Sequence, residues 1–206
     1  MANSVAYIQS PFNKTRKDKF TMVLNLPLAL KQKATRFNRT ENTIIPETLQ
    51  FSVFGAVVPE ISIPPVQTRY AGQTLTQSSH SRDPYQPLTV NFTVDNRFNN
   101  YWVLYTWLDL LNNDQTGIYD AEGLTLPTKT MVQTHVKSDF NQYKATISIF
   151  GLDEYNKRVI EFKYTDAFPT NLGGIGYSHR DNSELESSFT LSYSQLLVKP
   201  IDTEIQ

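Results

Sequence analysis

Cysteine is absent from all 206 residues, which excludes disulfide staples, cysteine-ligated zinc and thiol chemistry. An excess of either charge is missing too. Nineteen Lys and Arg stand against 20 Asp and Glu, a formal net charge of −1. That balance argues against a dedicated nucleic-acid binder, which concentrates cations on one face. No apolar run approaches the ~20 residues that span a bilayer. The start, Met1 to Tyr7, lacks the basic and apolar regions of a secretory signal. The expectation is a soluble chain made in a cytoplasm, with no membrane association. His80, His135 and His179 lie far apart without metal-ligand spacing, so no metal or cofactor is expected. Charged residues are also scarce, at 19 % against 39 % hydrophobic. A packed core is available, and the surface must be rich in neutral polar groups.

What is present is strand alternation. Leu88, Val90, Phe92 and Val94 point one way along Leu88–Asp95, and Thr89, Asn91, Thr93 and Asp95 the other. Phe20–Leu26 alternates in the same manner, and Leu49–Val58 reads as a strand with Gly55 at a bulge. Lys144–Phe150, Arg158–Tyr164 and Ser188–Ser194 complete about six strands. Pro59, Pro64 and Pro65 take the chain to an edge or out of the sheet. Between Gln67 and Pro87 runs a long polar hairpin with little apolar beyond Tyr70, Leu75 and Tyr85.

One helix is expected over Arg97–Leu111, capped by Asp95 or Asn96, with Phe98, Tyr101, Trp102, Tyr105 and Leu108 as its apolar stripe. Leu104, Trp107 and Leu111 widen that stripe. A short helix is expected over Pro27–Ala34, and Phe168–Gly176 reads as a wide turn. The fold class is mainly β: an antiparallel β-sandwich or partly closed β-barrel with one flanking helix and long loops. All 206 residues form one domain, with an arm at 1–18, the hairpin at 67–87 and an extension at 195–206.

Chemical motifs are weak. Ser79-His80-Ser81-Arg82-Asp83 contains the letters of a hydrolase triad, but five adjacent loop residues cannot converge on one reacting atom. Gly173-Gly-Ile-Gly176 has no following helix to aim at a phosphate. Asp153/Glu154 and Glu184/Glu186 sit in turns and strand edges, where solvent suffices. The Asn-x-Ser/Thr matches at Asn13, Asn38 and Asn91 have no secretion signal behind them. The chain is read as no enzyme. The remaining signal is a hydroxyl- and amide-bearing surface, Thr89, Asn91, Thr93, Thr146, Ser148, Thr190 and Ser192, without the Lys and Glu that guard exposed sheets.

The order of parts resembles the tail tube proteins of contractile-tailed bacteriophages. The parts are a strand pair ending in Ala56-Val-Val-Pro-Glu-Ile-Ser-Ile63, a polar hairpin, Leu88–Asp95 and the helix Phe98–Leu111. Phe162-Lys-Tyr-Thr-Asp-Ala-Phe-Pro-Thr-Asn171 then leads to the closing strand Ser188–Tyr193. The resemblance implies hexameric rings stacked into a tube, with those seven polar residues lining the channel. It also implies a hairpin that reaches the adjacent ring through Tyr70, Gln73, Leu75, Arg82 and Tyr85. Implied partners are further copies of the chain, a sheath, and baseplate or neck proteins. Viral DNA passes without specific binding, and the location is the virion tail, assembled in host cytoplasm. The inserts at about 27–48 and Gly117–Gln142 leave a tube-like adaptor ring as an alternative. A monomeric sandwich that binds carbohydrate or protein is the alternative of a different class.

Overall fold

Strand β1 (Phe20–Asn25) carries Met22 and Leu24 into the core while Thr21 and Asn25 stay in solvent. The same alternation builds β5 (Leu88–Thr93), β6 (Ala145–Leu152) and β8 (Glu186–Ser192). The computed structural model describes residues 14–27, 30, 53–112, 143–180 and 182–201. The expected helix over Pro27–Ala34 lies almost wholly outside those residues, as do His135, Asn13, Asn38 and the Gly117–Gln142 insert.

The described chain adds β2 (Val53–Ala56), the hairpin β3 (Pro65–Tyr70) and β4 (Gln73–Ser78), helix α1 (Asn99–Leu111), β7 (Arg158–Leu172) and β9 (Gln195–Pro200). All pairings are antiparallel. The main sheet runs β1-β6-β7-β8-β5-β2, with β9 also on β7, and β3-β4 stand apart. It is therefore a mainly β fold, with one helix among the described residues.

Strand β7 explains how one sheet wraps a core. Its first part pairs with β6 and β9, and its last part, Phe168–Leu172, pairs with β8. Between them Asp166 takes a left-handed backbone (φ 54). The register slips there and again between Pro169 and Asn171. Each slip lets β7 bend and carry its buried side across the corner. Two half-sheets result, β1-β6-β7-β9 and β7-β8-β5-β2. Met22, Leu24, Ile147, Ile149, Tyr164 and Leu196 from one meet Leu88, Val90, Phe92, Phe189 and Leu191 from the other in one cluster. Each such side chain stabilises the fold by ~1.5–3 kcal/mol when fully buried.

Three expectations change. Phe168–Leu172 is strand, because the slip beside Pro169 accommodates a residue with no N–H to give the ladder. Gln195–Pro200 is an edge strand continuing from β8 through Ser194, whose N–H donates to Thr165 O at 3.0 Å. The helix starts later and faces differently. Its buried residues are Asn100, Val103, Leu104, Thr106, Trp107 and Leu110, whereas Phe98 and Tyr105 are exposed. The N-cap position is Phe98, in a left-handed backbone and without a side-chain cap; Asp95, three residues earlier, still reaches the helix start, its Oδ1 accepting the N–H groups of Arg97 (3.0 Å) and Asn99 (2.8 Å). Buried Asn100 ties the first turn to β5, its Nδ2 donating to Thr93 O at 2.8 Å.

Candidate functional site: a neutral sheet face and a projecting hairpin

Register decides which polar side chains share a surface. Across the β5 half, Thr89 faces Thr190 and Asn91 faces Ser188. Extending the rows, Gly55 lies opposite Asn91, and Gly173 donates its N–H to Ser188 O at 2.6 Å. Asn171 lies opposite Thr190, and Phe168 opposite Ser192. One row therefore reads Gly55–Asn91–Ser188–Gly173, and the next holds Thr89–Thr190–Asn171.

Glycine is a packing requirement at one row end, Gly173, and a tight but yielding fit at the other, Gly55. A Cβ on Gly173 would stand 2.9 Å from Ser188 O, and one on Gly55 3.3 Å from Asn91 Nδ2. The surface is thus short, hydroxylated and amidated, with Glu186 opposite Thr93 as the ionisable member of these rows.

The seven polar candidates do not all come together. Thr89, Asn91, Thr93, Thr190 and Ser192 share the face just described. Thr146 and Ser148 belong to the β6 half, where Ser148 lies opposite Lys163 and donates through Oγ to Glu161 Oε1 at 2.7 Å. Glu161 in turn lies opposite Lys199, and the Arg158 guanidinium sits 4.3 Å over the Phe150 ring. That outward surface carries both signs of charge. Both halves point their apolar sides into one core, so their outward faces turn away from each other. Sequence reasoning missed the charge on the β6 half because Glu161 and Lys163 come from a different strand than Thr146 and Ser148. Only the cross-strand register unites them.

The hairpin is exposed on both strands throughout. Ala71 and Gly72 turn it with positive φ (48 and 78) at both positions, the pairing a two-residue turn demands. Pairing Tyr70 with Gln73 and Thr68 with Leu75 puts Val66, Tyr70 and Leu75 on one side. Gln67, Arg69, Thr74 and Thr76 occupy the other. Val66 is the member that sequence reading missed; counting cross-strand positions outward from Ala71-Gly72 finds it.

Arg82 and Tyr85 are not at the tip. They sit at the base, where Arg82 Nη1 donates to Tyr85 Oη at 3.4 Å. The Tyr85 ring packs 5.3 Å from Tyr193, which in turn meets Tyr164 edge-on at 4.9 Å. Burial pushes the Tyr164 hydroxyl well above its usual pKa of 10.0, with the neighbouring Tyr193 adding to the shift, and burial raises Tyr193 as well. Among the described residues neither hydroxyl has a hydrogen-bond partner. The neck joining hairpin to body is held by Asp83 N–H to Ser62 O (3.2 Å), Ser79 N–H to Pro64 O (3.2 Å) and the Ser62 hydroxyl on the Asp83 carboxylate. Among the described residues no group of three or more His, Asp or Glu is placed to hold a metal, and no helix is long and apolar enough to cross a membrane.

The fold defines the class: a mainly β, antiparallel protein with a hydroxyl- and amide-bearing wall and a projecting hairpin. The family model for phage tail tube proteins matches residues 15–199, and the chain belongs to that family. No curated protein matches it in sequence. Its fold is similar to a chain of the sheath–tube complex of the extracellular contractile injection system PVC in its extended state. That likeness has a TM-score of 0.56 at 12 % identity, covering 98 % of this chain and 99 % of that one. It is also similar to a chain of the tube-terminating cap of the anti-feeding prophage (TM-score 0.56, 14 % identity, 98 % and 100 % covered). A chain of that particle's baseplate, solved with six-fold symmetrisation, gives a TM-score of 0.54 at 14 % identity over 92 % and 98 %.

Proposed function

We propose that this chain is a single-domain structural subunit of a phage tail, assembling into hexameric rings that stack as a tube for DNA ejection. The neutral face of the β5 half carries the reading. A channel wall with hydroxyls and amides offers passing phosphates no lysine to pair with, so the duplex slides without a salt-dependent hold. On this reading Thr89, Asn91, Thr93, Thr190 and Ser192 line the channel, while the charged β6 half meets sheath or neighbouring subunits. The hairpin spans to the adjacent ring. Baseplate or neck proteins meet the tube ends, and the location is the virion tail, assembled in host cytoplasm without membrane or cofactor.

Size-exclusion chromatography and negative-stain imaging of the purified chain test this. Rings or tubes are expected as concentration rises. Monomer persisting at the highest attainable concentration overturns the proposal. Single rings that never stack reassign the chain to an adaptor position at a tube end.

A further inference from the structure

Between the two extended segments of the neck lies an open cavity of about 340 Å³, lined by Glu60, Ile61, Ser62, Asp83, Pro84, Tyr85 and Gln86. Its charged lining groups, Glu60 and Asp83, are both acidic. Arg82 stands beside it with its guanidinium turned to the Tyr85 hydroxyl. The hairpin from Pro65 to Ser78 carries a single charge, the cation Arg69, next to the tip and beside Tyr70, which is 72 % exposed.

We infer that the hairpin tip of one copy docks in the neck cavity of the next, Tyr70 entering the space between Ile61 and Tyr85 while Arg69 meets Glu60 and Asp83. This rests on the assembly reading above and names the acceptor surface it leaves open.

Three observations support the match. Charge is complementary, one cation against two carboxylates. Apolar character is complementary as well: Val66, Tyr70 and Leu75 share one side of the hairpin, and Ile61 and Ile63 are exposed at the neck. Geometry excludes a self-contact. Six paired residues at about 3.4 Å each hold the tip roughly 20 Å from its own neck, so the occupant belongs to another copy. Tip-to-neck contact is head-to-tail: each copy offers one tip and one cavity. Such a contact propagates without closing on a pair, which is the condition for an open-ended stack.

The cysteine-free chain permits a clean crosslinking test. Gln73→Cys beside the tip and Gln86→Cys in the cavity, combined in one chain and oxidised during assembly, should give a covalent ladder of many copies. Either single variant should stop at dimers. In parallel, Arg69→Glu and Glu60→Lys should each raise the concentration needed for stacking at least tenfold, and the double variant should restore it. The proposal is overturned if wild-type chains stack while the double-cysteine chain gives no more than the single-cysteine controls and the double charge variant is no better than either single. In that outcome the tube reading stands. Wild-type chains that never associate overturn both.

Discussion

The indole Nε1 of Trp107 donates to the carbonyl oxygen of Tyr143 at 2.7 Å, joining the third turn of α1 to the segment that opens β6. Trp107 is fully buried and lies 36 residues from its acceptor. Together with the Asn100 bond to Thr93 and the buried Val103, Leu104 and Leu110, this contact holds the helix on the sheet. Trp107→Ala should cost ~3–5 kcal/mol from cavity formation. Trp107→Phe keeps most of the volume and removes this one hydrogen bond, costing ~0.5–1.5 kcal/mol. Denaturant melts of the monomeric chain should rank the two in that order.

Tyr164 carries a buried hydroxyl without a partner among the described residues. Tyr164→Phe should leave stability unchanged or raise it by up to about 1 kcal/mol, because no hydrogen bond is lost. The pH dependence follows from the raised pKa. The folded state holds the phenol proton after the unfolded chain has released it. Stability is therefore complete below pH 10 and falls as pH rises beyond it, toward the folded pKa. Melts from pH 8 to 11 should show the wild type losing stability above pH 10, with a shallower loss in Tyr164→Phe.

Gly173 and Gly55 end the same row but tolerate a side chain unequally. Gly173→Ala forces a methyl against the Ser188 backbone and should cost ~1–3 kcal/mol. Gly55→Ala meets only the end of the Asn91 amide, which can swing aside, and should cost less. Thermal melts of the two variants decide the order.

If the β5 half faces the channel, lysine there introduces a hold on DNA. Thr89→Lys with Thr190→Lys should leave ring assembly intact and give duplex binding that weakens steeply as salt rises. Lysine at Thr146, on the already charged β6 half, should not. Fluorescence anisotropy with assembled rings at 50 and 200 mM salt distinguishes the faces. Equal binding by both variants sinks the assignment of the wall.

The hairpin contributes nothing to the core, since both its strands are exposed. Replacing residues 66–77 with a short Gly-Ser link should leave the melting temperature within a few degrees and abolish stacking. Tubes of normal length from that variant contradict the hairpin's role.

Legibility in the sequence followed the physics of each element. Strands with one dry face, β1, β5, β6 and β8, announced themselves by strict alternation. The role of Asp95 at the helix start was half readable: its carboxylate does accept the Asn99 N–H, but the N-cap position itself falls at Phe98, whose left-handed backbone no sequence pattern announces. Strand β9 escaped because Leu196, Leu197 and Val198 follow one another without a polar beat, and an edge strand keeps two of them in solvent. The second part of β7 escaped because Pro169 reads as a breaker unless the slip beside it is known. The phase of α1 was lost because apolar residues surround it, leaving tertiary packing to choose Val103 and Leu110 over Tyr105. For the candidate site, the polar residues themselves were visible. Their division between two walls was not, since it depends on pairings from 13 residues apart (Ser148 and Glu161) to 101 apart (Thr89 and Thr190) along the chain.

Strand β7 also has a mechanical consequence. One unbroken backbone from Arg158 to Leu172 belongs to both walls of the sandwich. A thrust entering one wall therefore passes to the other through covalent bonds as well as through the packed side chains between them. If the chain stacks as proposed, a column of such units would resist shear between its two layers as a folded plate does, by sharing its crease.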